Sequence, residues 1–335
     1  APYSGMVPGW LAGTYRFGQI CIDVQALCAA AGATWLADTL AALDPDTRRI
    51  TLASGATLGY DALSLNLGST LHPPADLGVP VLPLRPLGAL QAAWQATCSA
   101  HAADTDRRPL RLMAAGGGAA GVEALLAVRQ RLLALQPQRP VQASLVSQGA
   151  TLLPGLAPGA VRAAQRALQR AGVVLQLGTA CTPAVARGQH LLLWATGAQA
   201  HAWQHDAARR GSLAVDGAGF VRVDAQLRSL SHPGSVWAVG DCAAFSPPLP
   251  KAGVYAVRQG PVLAAGLRAA LGGGNARAPG YRPQGRFLVL LATGDGRAIA
   301  SRGPLWAEGR WVWRWKDRID RGFVAGFHPG GPAGR

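Results

Sequence analysis

Between Pro109 and Leu135 the chain reads as an apolar run, a cluster of glycines and then an apolar stripe at helical spacing. The run is LRLMAA (Leu110 to Ala115), and GGG follows it. Val122, Leu125, Leu126, Leu132 and Leu133 then recur as one face of a helix would place them. Gly116, Gly118 and Gly121 set a G-x-G-x-x-G pattern, with Gly117 inside it, at this strand-to-helix turn. Each glycine has a physical task. The first permits the tight turn, the second lets the backbone approach a pyrophosphate, and the third lets helix and strand pack closely. The helix N-terminus then offers N–H groups and partial positive charge to the phosphates. In its strand–turn–helix setting the pattern predicts nucleotide binding. The competing reading is a plain turn in a chain with 43 glycines.

Beyond Leu135 the alternation repeats. VQASLV (Val141 to Val146) reads as a strand, Gly159 to Ala171 as a helix, VVLQL (Val173 to Leu177) as a strand and HLLLWATG as another. Strand and helix in turn predict a parallel sheet with crossover helices. Upstream, a helix is expected near Ile22 to Ala31, with strands at Thr34 to Leu40 and Ile50 to Leu52. The turn Ala53-Ser54-Gly55 precedes a further strand, and YDALSLNLGS is an apolar strand stopped by Gly68. Downstream, Ser235 to Gly240 is a strand ended by Asp241, a proline-rich loop comes next, and a helix starts at Lys251. RFLVLLATGDGRAIASRG reads as a hairpin turning at Gly294-Asp295-Gly296, ahead of a Trp-rich segment.

Composition bounds the function classes. With 335 residues, 49% hydrophobic and 15% charged, the chain has ample core and is not a disordered tail. No apolar run is long enough for a transmembrane helix, and no signal peptide is visible. The formal charge of +15 comes from scattered arginines, the two lysines being Lys251 and Lys316, so no nucleic-acid partner is expected. Cys21, Cys28, Cys98, Cys181 and Cys242 form no C-x-x-C, which predicts reduced thiols in the cytoplasm. No His or Cys spacing suggests a metal site. The Asp or Glu that holds an NAD ribose at the second strand end is replaced by Ser147 and Gln148, which leaves NADH and NADPH both open. Glu123 follows the last glycine by two residues, where it either complements the helix dipole from the first turn or stands near a nicotinamide.

Four stretches carry a family resemblance: YSGMVPGWLAG (Tyr3 to Gly13), YDALSLNLGS (Tyr60 to Ser69), VWAVGDCAAF with PLPKAGVYAVRQGPVLAAGL (Val236 to Leu267), and WRWKDRIDRGF (Trp313 to Phe323). With the glycine motif followed by VE, they resemble the FAD-dependent pyridine nucleotide-disulfide oxidoreductase superfamily. Within it they resemble the branch of type II NADH dehydrogenase-like proteins and, more narrowly, the module associated with selenophosphate synthetase. The resemblance implies an α/β fold with two Rossmann-like dinucleotide-binding domains. Residues 1–100 and 216–280 would form the FAD domain, residues 101–215 the NAD(P)H domain, and residues 281–335 a C-terminal hairpin-and-helix segment.

The resemblance also implies site residues. Asp241, after Gly240, would meet the ribityl chain of FAD; Gly253 and Val254 would start the helix facing the flavin ring. Tyr3, Ser4 and Gly5 would pass the isoalloxazine, and Gly68 would end the strand before the crossover. Thr196 and Gly197 would form the matching turn of the NAD(P)H domain. Glu123 and Lys316 would be the catalytic residues. The family's first strand and its own glycine motif would precede Tyr3 and are not in this sequence, which favours a truncated chain; a catalytically silent nucleotide-binding module is the alternative. The implied activity passes hydride from NAD(P)H to FAD and on to an acceptor such as a quinone. Oxidation of sulfide or selenide, with two of Cys98, Cys181 and Cys242 brought together, is a second possibility. A stripe of Trp311, Trp315, Ile319 and Phe323 at four-residue spacing, flanked by arginines, reads equally as a peripheral membrane contact at the inner face of the membrane or as a buried cap.

Overall fold

The computed structural model describes residues 1–272 and 280–328. The last residues of the C-terminal segment assigned from sequence, and the end of the segment 216–280, therefore lie partly outside the described residues. Along the chain, α1 (Val7–Leu11) and α2 (Val24–Ala30) come first, then β1 (Leu40–Asp44), β2 (Arg49–Leu52), β3 (Thr57–Gly59), β4 (Leu63–Leu65) and β5 (Val81–Pro83). Next are α3 (Leu87–Ala103), β6 (Leu110–Ala115), α4 (Ala119–Leu135), β7 (Val141–Ser147), α5 (Pro158–Arg170) and β8 (Val174–Leu177). The short α6 (Pro183–Ala186) leads to β9 (Leu191–Trp194), followed by α7 (Ala202–His205), α8 (Ala207–Arg210) and β10 (Val221–Arg222). The chain continues with β11 (Val236–Ala238), β12 (Ala243–Ala244), α9 (Gly253–Ala270), β13 (Val289–Ala292), β14 (Ala298–Arg302), β15 (Leu305–Gly309) and α10 (Arg310–Ala325). The architecture is the expected α/β class with a small C-terminal strand-and-helix segment.

Two compact units divide the chain. The first comprises Ala1–Trp35, Leu71–Gly197 and residues from Arg286 onward; the second comprises Leu36–Thr70 and Ala198–Gly285. These limits differ from the ranges read from sequence. Residues 1–35, 71–100 and those from 286 join the glycine-loop unit, whereas residues 198–215 and 281–285 join the other.

The first unit is built on a parallel sheet in the order β5-β9-β6-β7-β8. β6 and β9 are buried nearly throughout, as strands covered on both faces must be. Val122, Leu125, Leu126, Val128 and Leu132 line α4 and are almost fully buried. That breadth of apolar face suits a helix packed on β6 and β7 and also touched by α1 and β13. The connections from β6 run outward through β7 to β8, while β9 returns to the other side of β6. A crevice therefore opens at the carboxyl ends of β6 and β9, where such sheets bind ligands.

In the same unit β13, β14 and β15 form an antiparallel meander. The sequence predicted its first hairpin but not β15, in which Trp306 sits opposite Ser301. Trp306 lies so close to α5 that a Cβ on Gly159 would stand 1.9 Å from its indole nitrogen.

The second unit holds the β1-β2-β3 meander, the parallel pair β4–β11 and the parallel pair β10–β12. Its core gathers Leu43, Leu65, Trp203, Leu213, Val221 and Val236. No strand forms over residues 34–39, against expectation: Trp35 and Leu36 are exposed, and pairing with β2 begins at Leu40. β4 is also shorter than YDALSLNLGS suggested, because its ladder with β11 covers Leu63 to Leu65.

Candidate functional site

The crevice of the first unit is a cleft of ≈ 400 Å³ whose walls include Gly116, Gly117, Gly118, Ser147, Thr196 and Gly197. Gly116 adopts φ +122, and a Cβ there would stand 2.5 Å from the Ala195 carbonyl oxygen. At Gly121 a Cβ would meet the Gly116 carbonyl oxygen at 2.0 Å, so this glycine is fixed by helix-to-turn packing. Gly118 differs: nothing lies within 4 Å of where its Cβ would be. It is the N-cap of α4, without a side-chain cap, so the first-turn N–H groups open toward the cleft. The open face at Gly118 is the space a pyrophosphate needs, and the residues present fit a dinucleotide. At the end of β7 the lining is Ser147, Gln148 and Gly149, with neither carboxylate nor arginine among the described wall residues.

Glu123 does not sit in the first turn of α4, as the sequence reading had it. It is the fifth helical residue, and no acidic residue occupies that turn. Its carboxylate accepts the Ala292 amide of β13 at 2.6 Å. Loss of water around it pushes its pKa up to about 7, against the lowering effects of the Lys316 charge and the Ala292 N–H; the Asp320 charge adds to the rise. Glu123 and Lys316, distant in sequence, thus act on one another electrostatically.

The Lys316 ammonium is buried. It donates to Asp320 Oδ2 at 2.6 Å and to the Gly5 carbonyl at 2.7 Å. Both side chains of this pair are nearly inaccessible, at 5% and 7% exposure. Burial holds the Asp320 carboxyl above the ordinary carboxylate range, opposed first by Lys316. Tyr3 belongs to the same cluster. Burial, together with the charge and hydrogen bond of Asp320, pushes its phenol up to about 12. Its ring packs on Phe323 with centroids 4.5 Å apart. Ser4 and Gly5 lie in a single 3-10 turn, Ser4–Met6, beside it. Next to this cluster the Tyr15 hydroxyl donates to Asp317 at 2.5 Å, and Arg321 binds the same carboxylate at 2.8 Å.

Sequence reasoning missed Asp320. The signal was present: Val312, Lys316, Asp320 and Val324 share one four-residue register and are the buried residues of α10. The aromatic register one residue earlier is the exposed one, with Trp311 at 57%, Trp315 at 40% and Ile319 at 41% exposure. Phe323 departs from it by packing on Tyr3.

The second unit carries Gly68, Gly240, Asp241, Gly253 and Val254. Asp241 stands in the single turn Gly240–Cys242 after β11 and accepts the Ser69 hydroxyl at 3.2 Å. Gly68 and Gly240 both take positive φ, +66 and +69. Gln259 of α9 accepts the Gly240 amide at 2.6 Å, tying helix to turn. Gly253 and Val254 begin α9, whose N-cap Ala252 offers no side-chain cap. A carboxylate at a strand end beside an uncapped helix N-terminus fits the polar chain and ring edge of a flavin. Lys251 donates to the Ala243 carbonyl at 2.6 Å and lies over the Phe220 ring. All five cysteines are free. Cys98 lies on α3, Cys181 lines the nucleotide cleft, and Cys242 is sealed in the second unit's core.

The family model described as pyridine nucleotide-disulphide oxidoreductase matches residues 25–260, which span the glycine loop, Glu123 and Asp241. The chain belongs to that family. As a pyridine nucleotide-disulphide oxidoreductase it is similar in fold to the sulfide:quinone oxidoreductase of Aquifex aeolicus, with TM-score 0.77 and 13% identity over 99% of this chain and 84% of that one. It is also similar to NDH2 of Plasmodium falciparum in complex with NADH, with TM-score 0.73 and 11% identity over 96% and 90% of the two chains. NADH:rubredoxin oxidoreductase of Clostridium acetobutylicum gives TM-score 0.64 and 18% identity over 89% and 71%. No curated protein sequence matches.

Proposed function

We propose that this pyridine nucleotide-disulphide oxidoreductase oxidises NADH or NADPH with the help of FAD and delivers the electrons to an acceptor such as a quinone. The supporting observation is the cleft at the β6/β9 switch point, walled by the glycines that the sequence assigned to a dinucleotide. Gly118 leaves room for the pyrophosphate, and the start of α4 offers it N–H groups. Ser147 and Gln148 bring neither a carboxylate that would repel a 2′-phosphate nor an arginine that would select for one, so both nucleotides are expected to serve. Asp241 would hold the polar chain of FAD, with Gly253 and Val254 at its ring edge. When bound, a flavin supplies the ability to take hydride from a nicotinamide and release electrons singly or in pairs. The chain's own contribution is electrostatic. Lys316 offers positive charge where negative charge develops, and Glu123 holds or releases a proton near neutral pH.

The exposed Trp311, Trp315 and Ile319 with neighbouring Arg310, Arg314 and Arg318 suit an anionic membrane surface, where a quinone would be met. No helix among the described residues is long and apolar enough to cross a membrane. A functional link to selenophosphate synthetase stays a proposal carried by sequence resemblance. The test is anaerobic mixing of the purified, FAD-loaded protein with NADH and with NADPH. Fading of the flavin's visible absorbance with either nucleotide is expected. Nucleotide binding without fading would point instead to a silent binding module.

A further inference from the structure

The turn that carries Asp241 is held by a buried side chain to which the proposed function gives no task. The ladder between β4 and β11 ends at Leu65 and Ala238, and Val239 gives its amide to the Leu65 carbonyl. Gly240 then takes φ +69, and its N–H has left the ladder. That N–H is donated to Gln259 Oε1 of α9 at 2.6 Å, while the Gly240 carbonyl accepts the Ala243 amide. The peptide groups on both sides of Gly240 are thus fixed, and the second of them carries Asp241. A Cβ at Gly240 would stand 3.3 Å from that of Ala256, so helix and turn also pack closely. Gln259 itself is 1% exposed. An amide sealed so deeply is costly unless its polar atoms are answered. A backbone N–H only donates, so the Gln259 oxygen faces the turn, and its other end bonds to the Tyr281 phenol. An apolar side chain of the same size would pack here without that demand, but it would leave the Gly240 N–H without its acceptor.

We propose that Gln259 is a positioning residue, which acts through the Gly240 amide to set the direction in which Asp241 presents its carboxylate. This role presupposes that Asp241 holds the polar chain of FAD, as proposed above. Asp241 carries its carboxylate on a short side chain, so the direction of the group depends on the backbone beneath it. Two holders then fix it from two elements. Ser69, just beyond β4, donates to Oδ2 at 3.2 Å and steadies the carboxylate itself. Gln259, on α9, steadies the peptide that leads into Asp241. Gln259, Gly240 and Asp241 line one small cavity together with Tyr255 and Lys251. Without the Gln259 acceptor the strand β11 keeps its ladder, but the turn after it is free to rotate at Gly240. The carboxylate is then present and misdirected, which is the usual failure of a binding group whose support is missing.

The experiment is a double-substitution cycle read by binding and not by turnover. The full chain, freed of flavin and checked by circular dichroism, is titrated with FAD while flavin fluorescence is followed. Asp241→Ala is expected to weaken binding about tenfold or more, as loss of a hydrogen bond to a charged group does. Gln259→Leu is expected to weaken it several-fold, and by no more than Asp241→Ala does. The double variant is expected to bind FAD within about twofold of Asp241→Ala, because a carboxylate that is gone cannot also be misdirected. Unchanged FAD affinity in Gln259→Leu overturns the proposal. So does a loss greater than that of Asp241→Ala, or two losses that multiply in the double variant. Either would mean that Gln259 supports the fold and not Asp241. If Gln259→Leu fails to fold, Gln259→Met, unbranched like glutamine, takes its place in the cycle under the same criteria. A methionine variant that also unfolds assigns Gln259 to the fold and overturns the proposal. Asp241→Ala binding FAD as the parent does would remove the proposal together with the assignment of Asp241. A parent that binds no FAD would remove the flavin reading as a whole, which a silent Gln259→Leu leaves standing.

Discussion

At the scale of single residues the glycine loop separates two kinds of glycine. Gly118→Leu is expected to leave the melting temperature within a few degrees of the parent, because its side chain enters open space. NAD(P)H affinity should fall at least tenfold in a fluorescence titration, since the pyrophosphate needs the same space. Gly121→Ala is expected to behave in the opposite way. Its Cβ would stand 2.0 Å from a backbone oxygen, so overpacking should cost about 1–3 kcal/mol or more in urea unfolding. Glu123 gives a pH prediction with a definite sign. Its folded pKa of about 7 lies above its ordinary value of 4.5, so the protonated group favours the folded state. That contribution is complete below pH 4.5 and is lost as pH rises through 7. Over this window the parent should lose of the order of 3 kcal/mol relative to Glu123→Gln, measured as the difference between their denaturation curves. The same substitution should lower the rate of hydride transfer more than it lowers nucleotide binding. Equal effects on both would leave Glu123 a structural anchor for the Ala292 amide.

At the scale of elements, α10 shows what periodicity conveys and what it withholds. The helix was legible from its four-residue spacing, but which stripe faces inward was not. Apolar residues ordinarily mark the buried side, yet here Lys316 and Asp320 go in while Trp311, Trp315 and Ile319 stay out. Two charges that satisfy each other and a backbone carbonyl leave no trace in a hydrophobic pattern. The β6–α4–β7 unit was legible almost to its boundaries because a buried strand, a glycine turn and an amphipathic helix each imprint a distinct local period. β15 was not, since its Leu305 and Trp306 are exposed and it is held by pairing with β14. For the membrane reading, removing residues 304–335 is a poor test, because it also removes the buried pair Lys316 and Asp320. The triple substitution Trp311→Ser, Trp315→Ser and Ile319→Ser touches the exposed stripe alone. It is expected to keep the parent's thermal stability and to abolish co-sedimentation with vesicles rich in anionic lipid. Co-sedimentation that survives it would assign the stripe no membrane role.

At the scale of the whole molecule, every described wall residue of the nucleotide cleft belongs to the first unit. A nucleotide at 100 times its dissociation constant stabilises the unit that binds it by about 2.7 kcal/mol. Hydrogen exchange with saturating NADH should therefore slow in β6, β7 and β9 while the β1–β3 meander exchanges as before. Protection spread equally over both units would mean that the two unfold as one. The division into units could not be read from sequence, because residues 1–35 and those from 286 join the unit of the central sheet through packing rather than through any repeating pattern. One contact bears on how the chain is made. Lys316 donates to the carbonyl of Gly5 across 311 positions of sequence. On a ribosome adding about 5–20 residues each second, Gly5 emerges tens of seconds before its partner exists. Throughout that interval the turn that carries Gly5 lacks the helix that fixes it. The cluster is thus closed by a stretch synthesised long after the turn it fixes, and a nascent chain halted short of α10 would carry the finished nucleotide cleft without its charged neighbour.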